Sequence, residues 1–448
     1  MIQEQIKHPV LSARLHRIRG RIYRVVSRLD VEMFKSAEPI PFAQLSGQTF
    51  TKVTGTVNWG RKLSCAWFRL RGNVPKGLHN HVLLIHNTGE GLVYSPSGEI
   101  LDGLTAVWTP LELPRSGGHC VVLELPQGID GEIDYYTDWG YNGFLLNDVG
   151  HGRFAGAWLA ERDDEAFALY YDYLTLALLC ESTEDDKKRA ELSRVLSAAY
   201  RVFSRGDTAG AHAALSGVLA KPSLSDFVFD AVGHGHLDLA WLWPMRESRR
   251  KAARTYAIAL RNMERYPDYI YGTSQPQQLQ WIKDEHPALY ARIKAAILAG
   301  RIELQGGFWT ECDSNLSGGE SLVRQAIYGT KFAREEFGQE IRLCWLPDAF
   351  GFNGNLPQIL RLCGMDYFST IKLAWNKVNV FPYRTFEWQG VDGTRVLAHM
   401  PPEGDYNSAA GAHNLLGAIR KYPERKLNTA LLVYGSGDGG GGPRESHL

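Results

Sequence analysis

Between residues 225 and 443 short apolar runs alternate with helix-forming stretches, and few architectures accommodate that alternation. Strands are expected near Phe227 to Val232, Tyr269 to Thr273, Ile302 to Phe308, Ile341 to Leu346, Tyr367 to Ile371, Arg395 to His399 and Ala430 to Tyr434. Helices fill most of the gaps: one starts near Glu247, one runs from about Gln277 to Leu298, and one from about Gly319 to Phe337. This order predicts a parallel sheet with helices outside, either closed into a barrel or open as a doubly wound layer. In both forms the loops at the carboxyl ends of the strands share one rim and carry the active site.

Those loops hold an unusual set of side chains. The first strand runs into GHGHLD, where His234, His236 and Asp238 occupy alternate positions and so project to one side of an extended backbone. The third is followed by WTECDSN, with Glu311 and Asp313; the fourth by LPDAFGFN, with Asp348; the last by YGSGDGGGGP, with Asp438. Taken singly, an aspartate in such a loop is a turn residue or a helix cap, and the histidines can simply hydrogen-bond backbone. Their coincidence on one edge favours a site. Histidine and carboxylate ligands without cysteine suit Zn²⁺ or another divalent ion. Paired carboxylates flanking a bond are what glycoside hydrolysis needs, one as nucleophile or base and one as proton donor. Trp241, Trp243 and Trp309 stand beside these residues and offer flat faces for a pyranose ring, or else they pack at the rim and in the core. The glycine-rich run 435–442 has no following Lys-Ser/Thr and enters no helix, so it frames Asp438 at close approach and is not read as a phosphate loop.

The remaining chain is read as supporting domains. Residues 1–150 are expected to form an N-terminal β-sandwich preceded by one or two helices, with Leu11, Leu15, Ile18, Ile22 and Val25 at helical spacing. Its aromatics, Trp59, Trp67, Tyr94, Trp108 and Trp139, either fill the core or line a sugar-binding face. Residues 151–222 read as a helical linker, 223–443 as the catalytic α/β domain and 444–448 as a tail. Lys+Arg and Asp+Glu are equal at 49 each, which speaks against a nucleic-acid partner. No apolar run approaches the roughly 18 to 20 residues that span a bilayer, and the first residues lack the apolar core of a secretion signal. Together with six scattered cysteines and no CxxC pair, this predicts a cytoplasmic protein with free thiols and no membrane partner.

The long segments GHGHLDLAWLWP, TSQPQQLQWI, GRIELQGGFWTECDSNLSGGESLVRQAIYGTKF, CWLPDAFGFNGNLPQIL, NKVNVFPYRTFEWQGVDGTRVLAHMPP and YGSGDGGGGP resemble the α-mannosidases of glycoside hydrolase family 38, in their bacterial and cytosolic or vacuolar branch. The resemblance implies a seven-stranded β/α barrel, one Zn²⁺ per chain, an α-mannoside oligosaccharide substrate and hydrolysis with retention. By motif position it implies His236, Asp238 and Asp313 as metal ligands, with Asp313 also the nucleophile that forms a glycosyl-enzyme. His234 would orient the ligands from behind, Trp241 and Asp348 would meet the sugar, and Asp438 would be the acid/base; Trp309, from its place beside the acids alone, is a further candidate for the sugar. Co²⁺ or Ca²⁺ in place of zinc, and a homo-oligomer, are left open.

Members of that branch are about twice as long, and the resemblance places a fourth ligand, a histidine of a His-Asp motif, beyond the glycine-rich loop. Here RESHL follows, and His447 has no such context, so a truncated and inactive product is one expectation. Two others stand beside the mannosidase: a different zinc-dependent carbohydrate hydrolase or deacetylase with Asp313 as base, and a non-catalytic carbohydrate-binding protein.

Overall fold

The computed structural model describes residues 6–105, 120–126, 131–142, 150–221, 226–424 and 426–448. It divides into two compact units, Met1–Leu224 with Gly411–His413, and Ser225–Ala410 with Asn414–Leu448.

The first unit contains a two-sheet β-sandwich. A six-stranded sheet is centred on the antiparallel pair Cys65–Val74 and Gly131–Gly140, and a five-stranded sheet on Gly152–Arg162 and His81–Asn87. Alternate residues of these strands point inward, so Phe68, Leu70, Leu83, Ile85, Leu159 and Trp139 meet in one core. Phe68 stacks on Phe154 with ring centroids 4.7 Å apart. Trp59, Trp67, Tyr94 and Trp139 are all buried, which settles them as core residues and not an open sugar platform. Trp108 lies outside the described residues.

Two stretches expected to be helical are strands. Among the described residues one helix, Pro9–Arg19, precedes the sheets, and Tyr23–Arg28 and Asp30–Ser36 then join them. Val25, which the spacing carried into the helical reading, lies in Tyr23–Arg28 and pairs with Ala160 of Gly152–Arg162. Gly152–Arg162 has the Ala, Leu, Glu and Arg of a helix, yet it lies between Tyr23–Arg28 and His81–Asn87 in a ladder. A central strand position overrides weak local propensity. The helical part of this unit is Asp164–Ser182, Asp186–Phe203 and Thr208–Leu219, packed with Pro9–Arg19 around Leu15, Ile18, Tyr173, Leu192 and Leu196. Each of the three is started by an aspartate, Asp163, Asp185 or Asp207, whose carboxylate accepts backbone N–H groups of the first turn.

In the second unit the seven expected strands occur as Val228–His234, Tyr271–Thr273, Ile302–Leu304, Leu343–Trp345, Tyr367–Ser369, Arg395–His399 and Thr429–Tyr434. They are parallel within two four-stranded sheets. One has the order Ile302–Leu304, Tyr271–Thr273, Val228–His234, Thr429–Tyr434; the other has Leu343–Trp345, Tyr367–Ser369, Arg395–His399 and an added antiparallel edge strand, Thr385–Gln389. The seven-stranded closed barrel implied by the resemblance is therefore not formed as a continuous ladder. Four of the strands have three residues each, and Gly306 and Gly307 at one seam both have positive φ, which turns the backbone out of pairing. Among the described residues only scattered contacts run between the two sheets: Gly306 N–H to the Leu343 carbonyl, Trp345 Nε1–H to His234 Nε2 at 3.4 Å, Leu431 N–H to His399 Nε2 at 3.3 Å, and the bridge Ser408 to Tyr434. The long helix expected over 277–298 is two, Pro276–Glu285 and Pro287–Leu298, because Pro287 cannot continue the hydrogen-bond ladder. Among the described residues no helix is long and apolar enough to cross a membrane.

Phe68 is fully buried. Phe68→Ala is expected to lower the sandwich unit's stability by about 3–5 kcal/mol through lost contacts and a residual cavity. The denaturation midpoint followed by tryptophan fluorescence checks this; an unchanged midpoint contradicts the packing described.

Candidate active site

The strand Val228–His234 ends in a segment that does not stop pairing but changes partner. Asp238 N–H donates to the Asp438 carbonyl at 3.0 Å, Gly440 N–H donates to the His236 carbonyl at 2.9 Å, and Leu237 bridges Gly439 in antiparallel register. The glycine-rich loop is itself closed by two hydrogen bonds between Ser436 and Gly442, each 2.9 Å. Asp438 takes a left-handed φ of 62°, a conformation that aspartate tolerates better than most residues. Gly437 has no room for a side chain: a Cβ there would meet Asn407 Oδ1 at 2.5 Å and His236 Cβ at 3.0 Å.

This clasp brings His236, Asp238 and Asp438 together, and Asp348 from another strand end joins them, with one ligand atom from each of the four within 4.8 Å of the others. His236 is buried, and its Nε2 lies 3.8 Å from Asp238 Oδ1 and 3.6 Å from Asp348 Oδ2. Neither ring nitrogen makes an aligned hydrogen bond. Ligand atoms about 2.0–2.2 Å from a tetrahedral Zn²⁺ stand roughly 3.3–3.5 Å from each other, so these separations are near those a divalent cation imposes. A buried imidazole nitrogen facing two carboxylates fits a cation; it does not fit an apolar core.

Charge around the cluster is balanced from both sides. Asp348 pairs with Lys372, whose ammonium sits 3.3 Å from the centre of the Trp375 ring. Burial alone would raise the Asp348 carboxyl, but His236 and Lys372 outweigh it and hold it low. Burial likewise disfavours charge on His236, yet Glu311, Asp238 and Asp348 raise it well above the ordinary range. Asp438 is pushed upward, mainly by burial, while Tyr406 donates to its Oδ1 at 2.6 Å. Tyr406 also packs on the His236 ring, with centroids 4.8 Å apart.

The other expected residues fall in different places. Asp313 is exposed and lies outside the four-residue cluster; its Oδ1 accepts from the N–H groups of Asn315 and Leu316, both at 2.9 Å, closing a turn. His234 is buried, with Nδ1 bonded to the Gly272 carbonyl at 3.0 Å and Nε2 facing the Trp345 N–H at 3.4 Å. Trp241 is half exposed and meets Trp243 edge-on at 5.7 Å. Trp309 is half-buried, its N–H bonded to Gln277 Oε1 at 3.0 Å and its ring edge-on to Phe332. Trp243 is buried. His447 accepts the Arg444 N–H and is not part of the cluster. Lys372, Tyr406, Gln275 and the role of Glu311 were not anticipated. Lys372 and Tyr406 also follow strands, Tyr367–Ser369 and Arg395–His399, so a search of strand ends for every polar side chain would have found them.

Residues 227–448 match the family described as "Glycosyl hydrolases family 38 N-terminal domain" and residues 26–167 the "Alpha-mannosidase, jelly roll domain". The chain belongs to glycoside hydrolase family 38. It is similar to "Alpha-mannosidase 2C1" of Homo sapiens, 32% identical over 96% of this chain and 43% of the relative. It is also similar to "Alpha-mannosidase" of Saccharomyces cerevisiae, 32% identical over 87% of this chain and 38% of the relative. A solved structure of an alpha-mannosidase from Enterococcus faecalis aligns over 49% of this chain and 26% of that one, with 20% identity and a TM-score of 0.42. The chain thus spans less than half the length of the curated relatives it matches.

Two outcomes follow from this geometry. His234 is held neutral by burial, with its pKa lowered to about 4. An unfolded histidine takes up its proton near pH 6.5, so the unfolded chain gains protons first as the solution is acidified. Stability from this group is full above about pH 6.5 and falls as the pH drops towards 4; denaturation midpoints at a series of pH values test it, and His234→Gln should flatten the decline. Gly437→Val should displace Asn407 or His236 and weaken any divalent-cation binding at this cluster about tenfold or more, measured by calorimetric titration.

Proposed function

We propose that this chain carries the catalytic centre of an α-mannosidase that removes α-linked mannose from oligosaccharides with retention of configuration. The observation that carries the reading is the convergence of His236, Asp238, Asp348 and Asp438 within 4.8 Å in a chain of this family. The names of the human and yeast relatives support the substrate class. The two sheets of the second unit are arcs of a seven-stranded β/α barrel in this reading, supported by strands that follow one another in chain order and by the hydrogen bond between Gly306 and Leu343.

His236 through Nε2, Asp238 and Asp348 would hold the cation, Zn²⁺ in preference to Co²⁺ or Ca²⁺, since one imidazole with carboxylates suits it. Bound there, Zn²⁺ supplies Lewis-acid attraction for vicinal mannose hydroxyls and favours a distorted ring. Asp438, whose carboxyl burial shifts upward and so towards the protonated form, delivers a proton to the departing glycosidic oxygen. Asp313 attacks C1 to form the glycosyl-enzyme, which water then hydrolyses with Asp438 acting as base. Its exposure, and its position two residues from Glu311, which touches His236, support that assignment. The half-exposed Trp241 offers the apolar face of a sugar a ring to stack on.

Incubation with a fluorinated mannosyl substrate followed by peptide mass mapping is expected to place the label on Asp313, and Asp313→Asn should abolish labelling. Hydrolysis of p-nitrophenyl α-mannoside should rise on adding Zn²⁺. Metal-dependent hydrolysis of another carbohydrate ester or amide without any label would favour the deacetylase reading.

A further inference from the structure

Glu311 is tied to three loops at once. Its Oε2 lies 3.0 Å from His236 Nδ1, and its Oε1 accepts the backbone N–H of Asp348. Its own N–H donates to Gln275 Oε1 at 3.0 Å, and Gln275 Nε2 donates to the Leu237 carbonyl at 2.9 Å. Gln275 is buried, at 2% exposure, and the Glu311 side chain is 9% exposed. Thus one carboxylate touches the ring of one cluster member and the backbone of another, and one amide holds that carboxylate's segment against the residue between His236 and Asp238.

We propose that Glu311 is the positioning residue that builds the cation site, by keeping a proton on His236 Nδ1 so that Nε2 presents its lone pair, and by fixing the loop that carries Asp348. The Asp348 N–H donates to one Glu311 oxygen and His236 Nδ1 stands 3.0 Å from the other, within reach of a hydrogen bond once the ring aligns, so the position calls for two acceptor oxygens. Glutamate supplies both; glutamine, although the same shape, supplies one acceptor and one donor, and so must lose a contact and oppose an N–H. Histidine ligands commonly take their orientation from such a carboxylate, and its removal weakens metal binding by about 10–100-fold. This inference rests on the cation reading given above.

The test uses the full chain and two cations alone, without substrate. Zn²⁺ affinity is measured by competition with a chromophoric chelator, and the ligand-field absorption of the Co²⁺-loaded protein reports the coordination geometry. Glu311→Gln is expected to bind Zn²⁺ about tenfold more weakly and Glu311→Ala up to about a hundredfold more weakly, with an altered Co²⁺ spectrum in both. Gln275→Leu, which keeps Glu311 but removes its brace, should lose several-fold and guards against a Glu311 variant that fails to fold. A role confined to filling space leaves Glu311→Gln within twofold of the unaltered chain with the same Co²⁺ spectrum, and that result overturns the proposal while the cation reading stands. An unaltered chain that binds neither Zn²⁺ nor Co²⁺ overturns the cation reading, and this inference with it.

Discussion

The short antiparallel clasp between residues 236–238 and the glycine-rich loop is the contact on which the site depends. Parallel strands deliver their loops to a common edge, but they do not by themselves bring side chains from the first and last loops within one coordination sphere. Here the backbone of Asp238 is bonded to that of Asp438, and the backbone of His236 to that of Gly440. Asp238 is thereby fixed to Asp438, and His236 to the loop that carries Asp438, by main-chain bonds, which side-chain rotation cannot loosen. The glycines make the approach possible: a Cβ at Gly235 would meet Gly442 N at 2.9 Å, and one at Gly440 would meet Thr255 Oγ1 at 2.4 Å. What reads in the sequence as a low-complexity run is in the structure the inner wall of the site.

Three aspartates drawn this close repel one another. At about 4 Å and an effective dielectric near 20, a pair of like charges costs about 4 kcal/mol, enough to change protonation unless something opposes it. Lys372 opposes it at Asp348, the raised affinity of His236 for a proton opposes it at Asp238 and Asp348, and Asp438 responds by holding its own proton more tightly. A divalent cation between His236 and its carboxylates would take over the part that the His236 proton plays in the free site. Binding at Nε2 would then be coupled to proton release from the ring. The same balance moves the two acids in opposite directions, Asp348 downward and Asp438 upward, although they belong to one cluster.

The parts legible in the sequence were those with a short period or a strand-end position. All seven parallel strands and the loops that carry His236, Asp238, Asp348 and Asp438 could be read this way, because apolar runs and the side chains after them are local facts. Pairing was less legible. Gly152–Arg162 has a helical composition and becomes a strand because neighbours on both sides need its backbone, and Thr385–Gln389 adds itself antiparallel to an otherwise parallel sheet. Closure of the barrel depends on how very short strands meet at seams such as Gly306 and Gly307, where no residue pattern records the outcome. The jelly-roll aromatics were ambiguous for a related reason: an indole suits a core and a sugar equally, and only burial separates the two.

Glu311 shows where motif reading and physical reading part. In WTECDSN it stands two residues before Asp313, and attention falls on the aspartate because its position resembles that of a nucleophile. In the structure it is Glu311 whose two oxygens reach His236 and the Asp348 backbone, while Asp313 Oδ1 closes a local turn. The two roles are compatible because the turn bonds occupy only one oxygen of Asp313 and hold the loop that Glu311 anchors at its other end. A carboxylate that must attack has to be exposed and correctly placed; one that must place others has to be buried and doubly accepting. On the proposed roles, one short loop would meet both demands by burying one acid and exposing the next but one, which is the alternation that an extended backbone provides.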